Sequence, residues 1–123
     1  MILGLDISTS ITGYTILDSR GKLVEYGSID TRKYKSFFIK VGVVEEKLIS
    51  LRQSYAVEEI YIEQSLQSFR SGFSSAQTLS TLSRFNGVVS WLCYTLFKKE
   101  PEYLAAVSAR RICGIKVPRG TKA

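Results

Sequence analysis

Two short apolar runs open the chain, over residues 2–7 and 11–17, with the polar tip Ser8, Thr9 and Ser10 between them. That spacing predicts a strand, a tight turn and a returning strand. A turn signal follows at 18–22, with Gly21 late in it. Residues 23–29 then alternate in part, which predicts a third strand and an antiparallel meander. After a polar, basic connection over 31–36, apolar residues recur at helical spacing through 37–52, at Phe38, Val41, Val44, Leu48 and Leu51. Glu45, Glu46 and Lys47 fall on the other side, so a surface helix packed on the sheet is expected. Ile60-Tyr61-Ile62, closed by Glu63, is too short for a helix and is β-branched and aromatic. It predicts a buried strand reached by a helical crossover, hence parallel to a neighbour.

The second half is simpler. A polar loop over 65–75 carries Phe69, Arg70, Gly72 and Phe73. A long helix over 76–97 follows, with Leu79, Leu82, Phe85, Val88, Val89, Leu92, Leu96 and Phe97 at three- and four-residue steps. Gly87 and Ser90 allow close approach by another helix or the sheet. Trp91 and Tyr94 extend the apolar surface round the helix, as expected for a central helix or one at a subunit interface. Glu100-Pro101 stops it. A further strand is expected over 103–107, then a short helix over 109–113 capped by Ser108 and closed by Gly114. The whole reads as one α/β domain over 1–123: a three-strand antiparallel meander, then parallel strands, flanked by helices.

Charge alters this picture. The net charge is +6, and it is uneven. Through Glu63 the chain holds eight basic and nine acidic residues, whereas after Glu102 it holds only bases: Arg110, Arg111, Lys116, Arg119 and Lys122. A basic second half is the electrostatic footprint of a phosphate-binding protein, a solvated basic face being the plainer alternative. No apolar run approaches the roughly 20 residues of a bilayer span, and no secretory leader is expected. Cys93 and Cys113 lie in apolar stretches of a chain without histidine. Both are expected to be buried, reduced thiols in an intracellular, reducing compartment rather than zinc ligands.

Two carboxylates carry the candidate chemistry. Asp6 lies within an apolar run, where burying it without a partner is costly, and Glu63 repeats the oddity at the end of a core strand. An Asp beside Ser and Thr also caps turns, which is the structural alternative for Asp6. Two acids at adjacent strand ends in a basic protein point to a hard divalent cation, Mg²⁺ with Mn²⁺ as the second choice, and to phosphodiester cleavage. Ser8 and Thr9 offer hydroxyl and backbone donors to phosphate. Phe69, Arg70 and Phe73 suit base stacking and a phosphate grip, or else a small cluster under their own loop. Arg110, Arg111, Lys116, Arg119 and Lys122 complete the expected DNA-contacting set.

The run Leu3-Gly-Leu-Asp-Ile-Ser-Thr-Ser-Ile-Thr-Gly-Tyr14, then Ile62-Glu63-Gln64, then Ser75-Ala-Gln-Thr-Leu79 leading into the long helix, resembles the RuvC family. Those are Holliday junction resolvases of the RNase H-like fold. The segment Val107-Ser-Ala-Arg-Arg-Ile-Cys-Gly-Ile-Lys116, with Gly120-Thr-Lys122, resembles the same family's basic segment. The resemblance implies an RNase H-like mixed sheet with Asp6 and Glu63 as metal ligands. It implies that Phe69 and Arg70 lie on a loop that enters the junction, and that Lys122 matches a lysine near the active site. Branched DNA is the implied partner and a homodimer the implied assembly, with the long helix as a candidate dimer face. The family completes its acidic cluster with two carboxylates on a C-terminal helix, and no Asp or Glu follows Glu102 here. The expectation is therefore a chain truncated before that helix, with weak metal affinity and little cleavage. Two other readings stand beside it. One is a junction-binding module that never cleaves; the other is a fragment of an actin-like ATPase or sugar kinase, whose phosphate loop the first hairpin also resembles.

Overall fold

Alternation along the first strand determines which way the sheet faces. In β1 (Ile2–Asp6), Leu3 and Leu5 are buried while Ile2, Gly4 and Asp6 turn the other way. The computed structural model describes residues 1–64 and 75–105. β1 pairs antiparallel with β2 (Ile11–Leu17), which pairs antiparallel with β3 (Leu23–Asp30), giving the expected meander. α1 (Phe37–Ser54) crosses over to β4 (Glu59–Gln64), which lies parallel to β1 on its other side. α2 (Ala76–Phe97) then leads to β5 (Glu102–Ala105), parallel to β4, so the sheet order is β3-β2-β1-β4-β5. Of the strand expected over 103–107, residues 106 and 107 lie outside the described residues, as does the helix expected over 109–113. No helix among the described residues is long and apolar enough to cross a membrane.

Both helices begin as their sequences suggest. The Ser36 hydroxyl accepts from the Ile39 N–H and the Ser75 hydroxyl from the Thr78 N–H, each satisfying a donor that a first turn leaves open. α2 ends on Lys98, whose left-handed backbone (φ 60°) lets its N–H reach the Tyr94 carbonyl at 2.9 Å. Val44, Leu48 and Leu51 of α1, with Phe85, Val89, Leu92, Cys93 and Phe97 of α2, join the core that Leu3, Leu5, Ile7, Ile16, Ile60 and Ile62 supply from the strands. The helices thus cover one face of the sheet. Burial alone pushes the Cys93 thiol up to about 12, so it packs as a small apolar group.

One expectation for the helices needs correction. Phe38 does not face the sheet: it is 78% exposed, and its neighbour Phe37 packs instead, edge-on to Phe85 at 5.5 Å between ring centres. Trp91 and Tyr94 are exposed on the outer side of α2. Helical spacing locates a stripe, but the direction of the stripe is set by which neighbours close over it.

The meander is fastened to α1 by one carboxylate. Glu25, on β3, accepts from the Tyr14 hydroxyl at 2.7 Å and from the Tyr55 hydroxyl at 2.5 Å. Lys47 of α1 lies 5.0 Å from the Tyr14 ring centre. Tyr14 can lie this way because residue 27 is glycine: a Cβ there would come within 2.7 Å of the Tyr14 hydroxyl. The two hydroxyls, Tyr55 first, hold the Glu25 carboxyl below its ordinary value of 4.5. A depressed carboxyl stabilises the fold above its unfolded-state value and loses that contribution as pH falls through its folded-state value. Glu25→Gln is therefore expected to lower the urea midpoint at pH 7. It should also remove part of the fall in midpoint seen in the wild type between about pH 5 and pH 3, read by tyrosine fluorescence.

Candidate functional site

The parallel register of β1 with β4 pairs Asp6 with Glu63, one step beyond the pairing of Leu5 with Ile62. Laterally paired residues on neighbouring strands lie roughly 4.8 Å apart, so the two acids leave the sheet side by side. Leu5 and Ile62 are buried beneath the helices, and strict alternation therefore sends Asp6 and Glu63 to the opposite face, which neither described helix covers. Asp6 is the last residue of its strand and is exposed, and Glu63 is half-buried near the end of its own, so both acids stand at adjacent strand ends. On the far side Asp6 is paired with Gly13 of β2, where a Cβ would sit 3.8 Å from the Asp6 Cβ. The small residue keeps the space beside the carboxylate open.

Beyond Asp6 the chain turns through Ser8, Thr9 and Ser10, and every carbonyl of the turn is held. The Ser8 carbonyl accepts from the Thr12 hydroxyl at 2.9 Å. The Thr9 carbonyl accepts from the Thr31 hydroxyl at 2.9 Å and from the Lys40 ammonium at 2.6 Å. The Ser10 carbonyl accepts from the Thr31 N–H at 2.9 Å and from its hydroxyl at 3.1 Å. Thr12 and Thr31 are wholly buried, so their hydroxyls need these partners as much as the turn needs them. The turn also braces itself, with the Ser10 N–H donating to the Ser8 hydroxyl oxygen at 3.1 Å and the Ser8 N–H to that of Thr12 at 3.2 Å.

The structure thus brings together Asp6, Glu63, Ser8 and Thr9 of the residues singled out in the sequence. Phe69, Arg70, Phe73, Arg110, Arg111, Lys116, Arg119 and Lys122 lie outside the described residues. Sequence reasoning missed Thr12, Thr31 and Lys40. A threonine inside a returning strand next to a Ser-Thr-Ser tip was a usable signal for the first; nothing local marks the other two. Among the described residues no group of three or more His, Cys, Asp or Glu side chains forms that could hold a metal ion. Two adjacent carboxylates are nonetheless a fitting type of donor set for a hard cation that keeps several of its waters.

No family model matches the chain. Curated relatives do. A crossover junction endodeoxyribonuclease RuvC from Bacteroides fragilis is 35% identical over 66 residues, covering 51% of this chain and 35% of that protein. One from Cytophaga hutchinsonii is 30% identical over 91 residues, covering 72% of this chain and 43% of its own length. The matches to these curated relatives thus span well under half of their length. Among solved structures, Thermus thermophilus RuvC in complex with a Holliday junction substrate superposes with a TM-score of 0.71 at 12% identity, over 98% of this chain and 83% of that one. A second Thermus thermophilus RuvC structure gives 0.65 at 13% identity, over 98% and 84%. The chain is RuvC-like in sequence and has the RNase H-like fold.

The space above Gly13 makes one statement testable without any substrate. Gly13→Ala is expected to fold with a change in stability within about 1 kcal/mol, because its methyl group meets only ordinary contact. Gly13→Leu, which sets bulk beside Asp6, should still fold, as read by a thermal melt, and would weaken any divalent cation held by Asp6 at least severalfold, as read by isothermal titration calorimetry.

Proposed function

We propose that this chain supplies the catalytic domain of a RuvC-like, divalent-metal-dependent endonuclease that acts on four-way DNA junctions. The observation that supports it is the lateral pairing of Asp6 with Glu63 on the face of an RNase H-like sheet that neither described helix covers. Likeness of fold to a RuvC structure over 98% of this chain, and partial sequence similarity to curated RuvC proteins, support the same reading. Asp6 and Glu63 would hold the cation, with Mg²⁺ the natural ion for an all-oxygen, water-rich site and Mn²⁺ the alternative. When bound, such a cation supplies Lewis acidity and an activated water for phosphodiester hydrolysis. The protein's own contribution is to fix the two carboxylates on rigid strand ends and to recruit the polyanion. The second task falls to Arg110, Arg111, Lys116, Arg119 and Lys122, with Phe69, Arg70 and Phe73 meeting unpaired or unstacked bases. Recognition by such a set is chiefly of shape and phosphate.

The test is junction binding and nicking measured side by side, on a four-way junction and a matched linear duplex, at fixed salt, in Mg²⁺ and then in Ca²⁺. The expected result is preference for the junction in both ions with only weak nicking, in Mg²⁺ alone, since the described residues bring together two acids and no third. Asp6→Asn or Glu63→Gln should abolish that nicking while leaving junction affinity within a few-fold. Junction binding without nicking in any metal would reduce the protein to a binding module, and equal affinity for duplex and junction would remove junction recognition.

A homodimer belongs to the same proposal, and Gly87 supports it. It stands at the middle of α2, where glycine costs about 1 kcal/mol relative to alanine. None of the described residues would touch a Cβ there. Its lack of a side chain serves no packing among them and suits close approach of a second helix. Arg84, Val88 and Trp91 share the outer stripe with it and, with Phe37 and Phe38, line a groove. Two copies of α2 crossing at their midpoints would form a self-complementary, two-fold contact. Gly87→Leu is expected to keep the melting temperature of the monomer and to raise the dimer dissociation constant at least tenfold, as is Trp91→Ala, both by sedimentation equilibrium. A wild type that sediments as a monomer at all concentrations would refute it.

A further inference from the structure

We infer that the connection between β3 and α1, over residues 31–36, is a DNA-contacting surface in which Lys33 and Lys35 take backbone phosphates of a duplex arm. The inference rests on the nuclease reading for its ligand and adds where one arm of that ligand lies.

Charge counted over the whole first half conceals this surface. Four of the eight bases before Glu63, namely Arg32, Lys33, Lys35 and Lys40, fall between Asp30 and Glu45 with no acid among them. Topology brings them to the site. β2 runs antiparallel to both β1 and β3, so β1 and β3 share a direction, and β4 is parallel to β1. Asp6, Glu63 and Asp30 therefore stand at one end of the sheet, and the connection starts there. Ser28 is level with Asp6 across Gly13, two strand spacings or roughly 10 Å away. Asp30 lies two residues further along. That places the connection within about five phosphates of the acids, at roughly 3.4 Å of duplex axis for each.

The connection is held in one shape. Thr31 is wholly buried, and the Ser10 carbonyl accepts from its N–H at 2.9 Å and from its hydroxyl at 3.1 Å. The Tyr34 N–H donates to the Thr31 carbonyl at 3.1 Å, closing a four-residue turn with Arg32 and Lys33 at its tip. Arg32 is used inside the turn, where its Nε and Nη2 reach the Asp30 carboxylate at 3.0 and 2.7 Å. Lys33 and Lys35 are both exposed, and neither has an ion pair among the described residues. The Lys33 ammonium lies 5.1 Å from the Tyr34 ring centre. Cations crowded on a braced turn, with no acid to answer them, suit a polyanion. Tyr34 is half-buried and carries Lys33 over its ring, so it offers no free face for a base. The contact is therefore to phosphate, which a duplex presents at regular spacing whatever its sequence.

Fluorescence anisotropy of the full chain on a linear duplex, over a salt series without divalent metal, tests this. The variants are Lys33→Gln with Lys35→Gln and, as a control, Lys22→Gln with Lys99→Gln. The control pair removes the same charge at the other end of the sheet, from exposed lysines in the β2–β3 turn and ahead of β5. Loss of two phosphate contacts should flatten the slope of log K against log salt by about 1.8 and cost at least about tenfold in affinity at 0.1 M salt. The control should shift the slope by less than about 0.5. An unchanged slope in the first pair, or a change as large in the control, would overturn the contact, as would a wild type that binds no duplex. Where the first pair melts early, acetylation of the wild type decides instead: bound duplex should protect Lys33 and Lys35 but not Lys22 and Lys99, and equal labelling would overturn the contact. The expected slope change without junction preference or nicking would keep the contact and remove the nuclease reading. Junction-selective nicking with an unchanged slope would do the reverse.

Discussion

The parallel pairing of β1 with β4 is the constraint on which the rest depends. Its register sets Leu3 beside Ile60, Leu5 beside Ile62 and Asp6 beside Glu63. The first two pairs are buried, and burying four aliphatic side chains in one layer is worth several kcal/mol. A slip of one residue in either strand would invert its alternation, exposing two of those side chains and carrying a carboxylate toward the core. The hydrophobic core therefore selects the register, and the register assembles the acids. The same register that fills the core therefore fixes the lateral spacing of the two acids.

α1 ties the meander down at three places. Lys40, in its first turn, holds the carbonyl of Thr9; Lys47, near its middle, lies over the Tyr14 ring; Tyr55, just past its end, donates to Glu25. Val44, Leu48 and Leu51 bury the face between. A helix anchored only by apolar contact could rotate or slide by a fraction of a turn at modest cost. Directional bonds at both ends remove that freedom. The hairpin that carries Asp6 is thus placed against β4 by ladder bonds on one side and against α1 by polar contacts on the other.

Much of this fold was legible because its elements obey local rules. The strands alternate, and the helices carry periodic apolar positions. The meander, the crossover to Ile60-Tyr61-Ile62 and the span of α2 follow from those patterns alone. Where the reading failed, the deciding contact was tertiary. Phe37 and Phe38 are equivalent in composition, and only the position of Phe85 settles which one packs. The acids were found in sequence because a charge in an apolar run is conspicuous. Thr31 and Lys40 were not, because a threonine and a lysine in a polar, basic stretch look like surface, and what they hold lies 21 to 31 residues away.

The first turn of α1 joins features that the sequence keeps apart. Phe37 and Phe38 line the groove against α2, and two residues further on Lys40 holds the turn beside Asp6. One helical turn is about 5.4 Å long and rigid on the scale of a hydrogen bond. Whatever seats on Phe37 and Phe38 therefore restrains the backbone from which Lys40 reaches the Thr9 carbonyl. In a two-fold dimer built on α2, each copy would steady its partner's groove and, through this turn, the loop that follows Asp6. Coupling of this kind requires no change of fold. It needs only that the contact between copies lower the freedom of a segment that the site already uses.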